Sequence, residues 1–257
     1  MTTKQIIAVC GKGGVGKTAY TAMLTRVLAD RKNNRLLVVD ADPALGLNYA
    51  LERTTEKTIG SVRDEIIQTA STGSREDLKL MADRIDYLVA QALEETDRYA
   101  FLAMGRMDGV GCFCSVNDLL KDALNEVSGV FDTILIDGEA GVEQINRQVV
   151  STIDTLILVT DTSLRGMKTV RHIKGLLDNG LIPSCKKVGV VFNRTQSDVT
   201  SLMQFAKEVG VDVLGFVPYD KTVETYDLEG KSLFNLPQDN PALIAVATTF
   251  EKVKNSD

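Results

Sequence analysis

Gly11-Lys12-Gly13-Gly14-Val15-Gly16-Lys17-Thr18 is the stretch from which the rest of the chain can be read. Its pattern, G-x-x-x-x-G-K-T, is that of a phosphate-binding loop. Before it, Gln5 to Cys10 is a short apolar, β-branched run; after it, Ala19 to Asp30 carries apolar residues at helical spacing. Strand, glycine-rich loop and helix form the context such a loop requires. Glycines let backbone N–H groups turn inward around phosphate oxygens, and the helix that starts there adds the positive end of its dipole. Lys17 is expected on the β- and γ-phosphates, and the Thr18 hydroxyl on Mg²⁺. The complete motif and its flanks favour this reading over a plain glycine-rich turn before a helix.

The 257 residues are long enough for a substantial core and are read as a single domain, 1–257. Charged residues make up 25% and hydrophobic residues 44%, ordinary values for a globular protein. The balance of 29 Lys+Arg against 35 Asp+Glu leaves a net charge of −6, which argues against a surface built for nucleic acid. No apolar run reaches the length of a membrane span, and the first residues carry no secretory pattern, so the expected location is cytoplasmic. Four cysteines, Cys10, Cys112, Cys114 and Cys185, are too few for a disulfide scaffold. Cys10 reads as a small buried strand residue, and Cys185, after Pro183, as part of a connecting turn.

Strand, loop and helix units recur along the chain. Strands are expected at Arg35 to Asp40, Thr133 to Asp137, Ile153 to Val159, Val188 to Phe192 and Val213 to Val217. Helices are expected at Val62 to Ala70, Leu78 to Ala82, Val116 to Val127, Val142 to Val150, Leu164 to Leu177, Val199 to Val209 and Pro241 to about Val253. Asp239 or Asn240 would cap the last helix, and Ser115 or Asn117 the one at 116. Ile85 to Ala90 alternates weakly and reads as a strand; Tyr99 to Met104 reads as a further segment. Such alternation implies an α/β fold with a mainly parallel sheet covered by helices on both faces.

Carboxylates at the ends of such strands project from the edge that carries the phosphate loop. Asp40-Ala41-Asp42-Pro43 closes the second strand, so two acids are expected to manage Mg²⁺ and water, although Asp42 alone would also suit an Asx turn. Asp137 closes another apolar strand and is the expected acid linked to the metal, with the Gly141 amide placed to sense the γ-phosphate. His172, the only histidine, sits in an amphipathic helical pattern and reads as an ordinary helix residue.

Lys12 gives the motif the form K-G-G-V-G-K-T, which resembles the deviant Walker A sequence of the MinD, ParA and nitrogenase iron-protein superclass. The resemblance implies an ATP-hydrolysing homodimer in which Lys12 crosses to the partner's nucleotide. It also implies that Asp42 orients the attacking water, that Asp137 to Gly141 form switch II, and that Asn193, after a strand, and Pro218 hold adenine. ATP or ADP with Mg²⁺ are the implied ligands. Within the superclass the chain looks most like the CooC-type nickel-insertion ATPases of carbon monoxide dehydrogenase maturation. The residues that carry this are Gly111-Cys112-Phe113-Cys114 and Asp137-Gly-Glu-Ala-Gly141-Val-Glu143. Ala19 departs from it where relatives have a second Thr, and Gln144 where many have His.

Two thiols are half of a tetrahedral S₄ site, and a two-fold dimer would supply the other half. Gly109 and Gly111 favour a turn that brings Cys112 and Cys114 to one side. Zn²⁺, Ni²⁺ and a bridging [4Fe–4S] cluster all fit four thiolates; a redox-sensitive pair or two structural cysteines fit the residues as well. The expected partners are a second copy and an apo nickel enzyme such as carbon monoxide dehydrogenase, with no nucleic acid and no membrane. The alternatives are an iron-protein-like reductase and a MinD- or ParA-like positioning switch. Pro241 to Asp257 does not look like the basic amphipathic helix that a membrane switch needs.

Overall fold

The computed structural model describes residues 4–72, 84–106, 114–138, 152–180, 185–196 and 198–255, without the side chains at 70–72, 114, 115, 117 and 255. Its elements in chain order are β1 (Gln5–Cys10), α1 (Lys17–Ala29), β2 (Leu36–Asp40), α2 (Gly46–Ala50), α3 (Ile59–Thr72), α4 (Ile85–Gln91), β3 (Leu93–Glu95), β4 (Ala100–Ala103) and α5 (Cys114–Ser128). There follow β5 (Thr133–Asp137), β6 (Ile153–Thr160), α6 (Leu164–Asp178), β7 (Cys185–Thr195), α7 (Thr200–Val209), β8 (Asp212–Pro218), α8 (Lys221–Leu228), a 3₁₀ turn (Leu233–Asn235) and α9 (Pro241–Asn255).

The eight strands form one sheet in the order β3-β4-β2-β5-β1-β6-β7-β8, parallel throughout except for β3, which runs antiparallel to β4. The first strand in the chain is therefore central. Alternate residues of β1 face opposite layers: Ile6, Ala8 and Cys10 pack with α3 to α7, while Ile7 and Val9 pack with α1, α2 and α9. Both faces are covered, so the strands read as continuous apolar runs. Each fully buried Val, Leu or Ile side chain is worth about 1.5–3 kcal/mol, which is ample to hold the polar carboxyl edge in place. On the second face, Tyr20 of α1 and Thr249 of α9 share a buried hydroxyl–hydroxyl hydrogen bond of 2.8 Å.

Most expected elements are present within a residue or two. Asn240 is the cap of α9, its Oδ1 accepting the Leu243 amide at 3.0 Å. Three expectations are corrected. Residues 85–91 are a helix, because Ile85, Leu88 and Val89 are buried at i, i+3, i+4 spacing and outweigh the weak alternation. Cys185 opens β7 opposite Ile153, and does not sit in a turn. Asn193 lies inside β7, which continues to Thr195 through a register shift after Phe192. The helices expected at Leu78 to Ala82 and Val142 to Val150 lie outside the described residues, as do Gly141 and Cys112. The backbone of Cys114 starts α5.

Candidate nucleotide site

The carboxyl ends of β1, β2 and β5 meet at the point where successive connections leave the sheet in opposite directions, the place where parallel α/β sheets bind ligands. The phosphate loop leaves β1 there. Gly11 has φ +152°, and a Cβ on it would lie 2.0 Å from the Val159 carbonyl oxygen, so loop and β6 approach as closely as backbones can. Gly16, with φ +87°, caps α1, and a Cβ there would meet the Asn193 amide nitrogen at 2.5 Å. Lys17 is buried and its Nζ turns back to the Lys12 carbonyl at 3.5 Å, a long contact that a phosphate oxygen would readily replace. Lys12 itself is half-buried.

Strand register sets the acids. Asp137 pairs with Val9 on one side and Asp40 on the other. Thr18 donates to Asp137 Oδ2 at 2.8 Å, and Thr21, one helical turn on, lies 2.9 Å from Oδ1. Asp40 accepts the Asp42 amide at 3.1 Å and the Leu47 amide at 2.9 Å, tying both ends of the loop that carries Asp42. Asp42 Oδ1 in turn accepts the Ala44 amide at 2.9 Å, so the Asx turn does form, at the edge of the site. Hydroxyl and carboxylate oxygens are the hard donors that Mg²⁺ prefers, so Thr18, Asp137 and Asp42 fit that ion.

Burial first, then the charge of Asp137, pushes the Asp40 carboxyl from its ordinary 3.8 up to about 7, opposed by the Asp42 and Leu47 amides. Burial pushes Asp137 up to about 6, opposed by the Thr18 and Thr21 hydroxyls and the charge of Lys17. Both acids hold their protons more tightly folded than unfolded. Their contribution to stability is therefore complete below about pH 4 and is lost as pH rises through about 6 to 7. Thermal unfolding of protein free of nucleotide and Mg²⁺, followed between about pH 5 and pH 8, is expected to show this loss, and Asp40→Asn to flatten it. A variant whose pH slope matches the parent's would count against the effect.

A cleft of about 260 Å³ adjoins the loop, lined among others by Ala19, Met23, Asn193, Arg194, Pro218 and Tyr219. Asn193 is buried; its Nδ2 donates to the Val15 carbonyl at 2.9 Å and its Oδ1 accepts the Arg194 amide at 3.0 Å. The side chain is thus a strut under the loop as well as a wall of the cleft. Arg194, with φ +55°, reaches the Gly14 carbonyl at 3.3 Å. Arg194 and Thr21 were not singled out by the motif, because their partners lie 180 and 116 residues away. A larger cleft of about 460 Å³ lies between Lys4, Asp154, Lys186 and Lys254 at the amino edge of the sheet, away from this site. His172 is an exposed residue of α6, Cys10 is buried and its thiol pushed up to about 12 by burial, and Cys185 is half-buried. Among the described residues no group of three or more His, Cys, Asp or Glu is placed to hold a metal ion.

Residues 6–234 match the family described as the CobQ/CobB/MinD/ParA nucleotide binding domain. The chain belongs to this family. Among curated relatives of this MinD/ParA-type protein, an uncharacterized ATP-binding protein of Methanocaldococcus jannaschii is 39% identical, over 97% of this chain and 98% of its own length. The carbon monoxide dehydrogenase accessory protein CooC of Rhodospirillum rubrum is 29% identical, over 90% of this chain and 89% of its own. The fold is shared with the cell division ATPase MinD of Pyrococcus furiosus, with a TM-score of 0.70 at 22% identity, covering 99% of this chain and 100% of that one. Family members hydrolyse ATP, and this MinD/ParA-type chain is an ATPase. Among its described residues no helix is long and apolar enough to cross a membrane.

Proposed function

We propose that the whole chain, 1–257, acts as one ATPase domain in a cytoplasmic homodimer that carries a metal ion and assists nickel insertion into carbon monoxide dehydrogenase or a related nickel enzyme. The observation that carries the ATPase part is the Thr18–Asp137 hydrogen bond beneath the phosphate loop. For the metal part, support comes from Cys112 and Cys114, which lie between Asp40-Ala41-Asp42-Pro43 and switch II in the sequence, and from similarity to a carbon monoxide dehydrogenase accessory protein.

In this reading the loop amides from Gly11 to Gly16 cradle the phosphates of ATP, and Lys17 exchanges the Lys12 carbonyl for a β/γ-phosphate oxygen. Thr18, Asp137 and Asp42 would hold Mg²⁺, which when bound neutralises charge on the β- and γ-phosphates. Asp42, anchored through Asp40, orients the attacking water. The water oxygen bonds to the γ-phosphorus as the bond to the β–γ bridging oxygen breaks, giving ADP and phosphate. Lys12 of each subunit supports the charge on the partner's nucleotide. Asn193 and Pro218 wall the adenine cleft, and Gly141 reports the γ-phosphate to switch II.

The cargo site joins Cys112 and Cys114 to the same pair in the second copy, completing four thiolates. Its direct test is metal content and solution mass with Zn²⁺ or Ni²⁺, measured without nucleotide, with ADP and with a non-hydrolysable ATP analogue. About one ion per two chains is expected for a completed tetrahedral site. The Cys112→Ser/Cys114→Ser double variant should lose it. Retention of the same metal by that variant overturns the cargo reading, and visible absorbance after anaerobic iron–sulfur reconstitution would replace it with a cluster.

A further inference from the structure

Asp137 is 1% exposed, and an aspartate carboxylate turns easily about its Cβ–Cγ bond, so something must set which oxygen faces the loop. Two hydroxyls do so, from one face of α1: Thr18 on Oδ2 and Thr21 on Oδ1. Residues three apart on a helix share a face, whereas Ala19 between them lines the adjoining cleft instead. Thr21 is 0% exposed, so no bulk water replaces its hydroxyl. Its single hydrogen has two acceptors within reach, Asp137 Oδ1 at 2.9 Å and the Lys17 carbonyl at 3.0 Å. The Lys17 carbonyl has a second lone pair for this hydroxyl, but an ionised carboxylate is the stronger acceptor, so the acid takes the larger share of the hydrogen bond.

We propose that Thr21 is a positioning residue for the ATPase reaction, locking the rotation of Asp137 so that Oδ2 stays on the Thr18 hydroxyl and the pair is preset for a divalent cation. The inference rests on the proposed role of Asp137 as the acid linked to Mg²⁺. Partners one step removed from a metal typically change its affinity tenfold to a hundredfold. Thr21→Val keeps the shape of the side chain and removes the donor.

The test is binding of a fluorescent, N-methylanthraniloyl-labelled ATP to the full chain, titrated with Mg²⁺, for the parent, Thr21→Val, Thr21→Ser and Asp137→Asn. Expected are a half-saturating Mg²⁺ concentration raised about tenfold in Thr21→Val, unchanged nucleotide binding without Mg²⁺, and recovery in Thr21→Ser. A parental Mg²⁺ midpoint in Thr21→Val, with that of Asp137→Asn raised, overturns the inference and leaves the reading of Asp137 standing. Equal weakening of Thr21→Val with and without Mg²⁺ also overturns it, since a merely structural role predicts that result. A parental midpoint in Asp137→Asn removes the reading of Asp137 itself. Should Thr21→Val fail to fold, Thr21→Ala against Thr21→Ser makes the same comparison, because only the serine retains the donor.

Discussion

Gly11→Ala is expected to lower the thermal unfolding midpoint by roughly 10 °C or more, the largest stability loss of any single change at this site. The added Cβ would stand 2.0 Å from the Val159 carbonyl oxygen, and the neighbour is backbone, not the end of a flexible side chain. The residue also holds φ +152°, which an L side chain rarely adopts. Either β1 and β6 separate or the loop entry rebuilds, and changes of this kind reach about 4 kcal/mol or more. In a chain of this size each kcal/mol moves the midpoint by about 2–4 °C. Gly13→Ala is the control, because a Cβ there meets nothing within 4 Å and no positive φ is required. Calorimetry on the two variants separates the outcomes: equal melting temperatures would show that the contact with Val159 does not constrain the loop.

Lys17→Ala should have the largest effect on turnover. A donor aimed at charge that develops during phosphoryl transfer is typically worth about a hundredfold to a thousandfold in rate, and phosphate release is expected to fall by that factor. The fold should tolerate the change, since among the described residues Nζ makes one hydrogen bond, the 3.5 Å contact to the Lys12 carbonyl. An activity collapse at an unchanged melting temperature is therefore the expected signature. If Lys12→Ala also abolishes turnover while binding nucleotide normally, and mixing with Lys17→Ala restores part of the activity, the two lysines act on nucleotides in different subunits. Full activity in Lys17→Ala would remove the phosphate-loop reading altogether.

How much of this could be read from the chain depends on how far apart the cooperating residues lie. The phosphate loop is local, with glycines, lysine, threonine and helix start within eight residues, so the motif alone placed it. Asp137 was legible because an acid that ends an apolar strand has one destination in a parallel sheet, the carboxyl edge. Thr21, Arg194 and the bracing role of Asp40 were not, because each takes its meaning from a partner brought in by the fold: Asp137, Gly14 and Leu47. Asn193 came from the resemblance alone; its place in the wall of the cleft beside the loop and its hold on the Val15 carbonyl depend on the fold. The helix at 85–91 was misread because six residues of weak alternation carry little signal against an i, i+3, i+4 set that only burial reveals. Short elements such as α2 and α8 escaped because they rest on caps and contacts; Asp220 caps α8 through the Thr222 and Val223 amides.

The order of the sheet also bears on how the protein is made. β1 precedes the other described strands in the chain and is central, yet its neighbours β5 and β6 begin only at residues 133 and 153, and α1 receives cover from a helix that starts at 241. Domains fold as units during synthesis, and pairings this distant in sequence form late. During synthesis the phosphate loop therefore emerges well before the strands β5 and β6 that brace it and the helix α9 that covers Tyr20. A fragment that stops short of α9 therefore lacks the Thr249 partner of the buried Tyr20 hydroxyl.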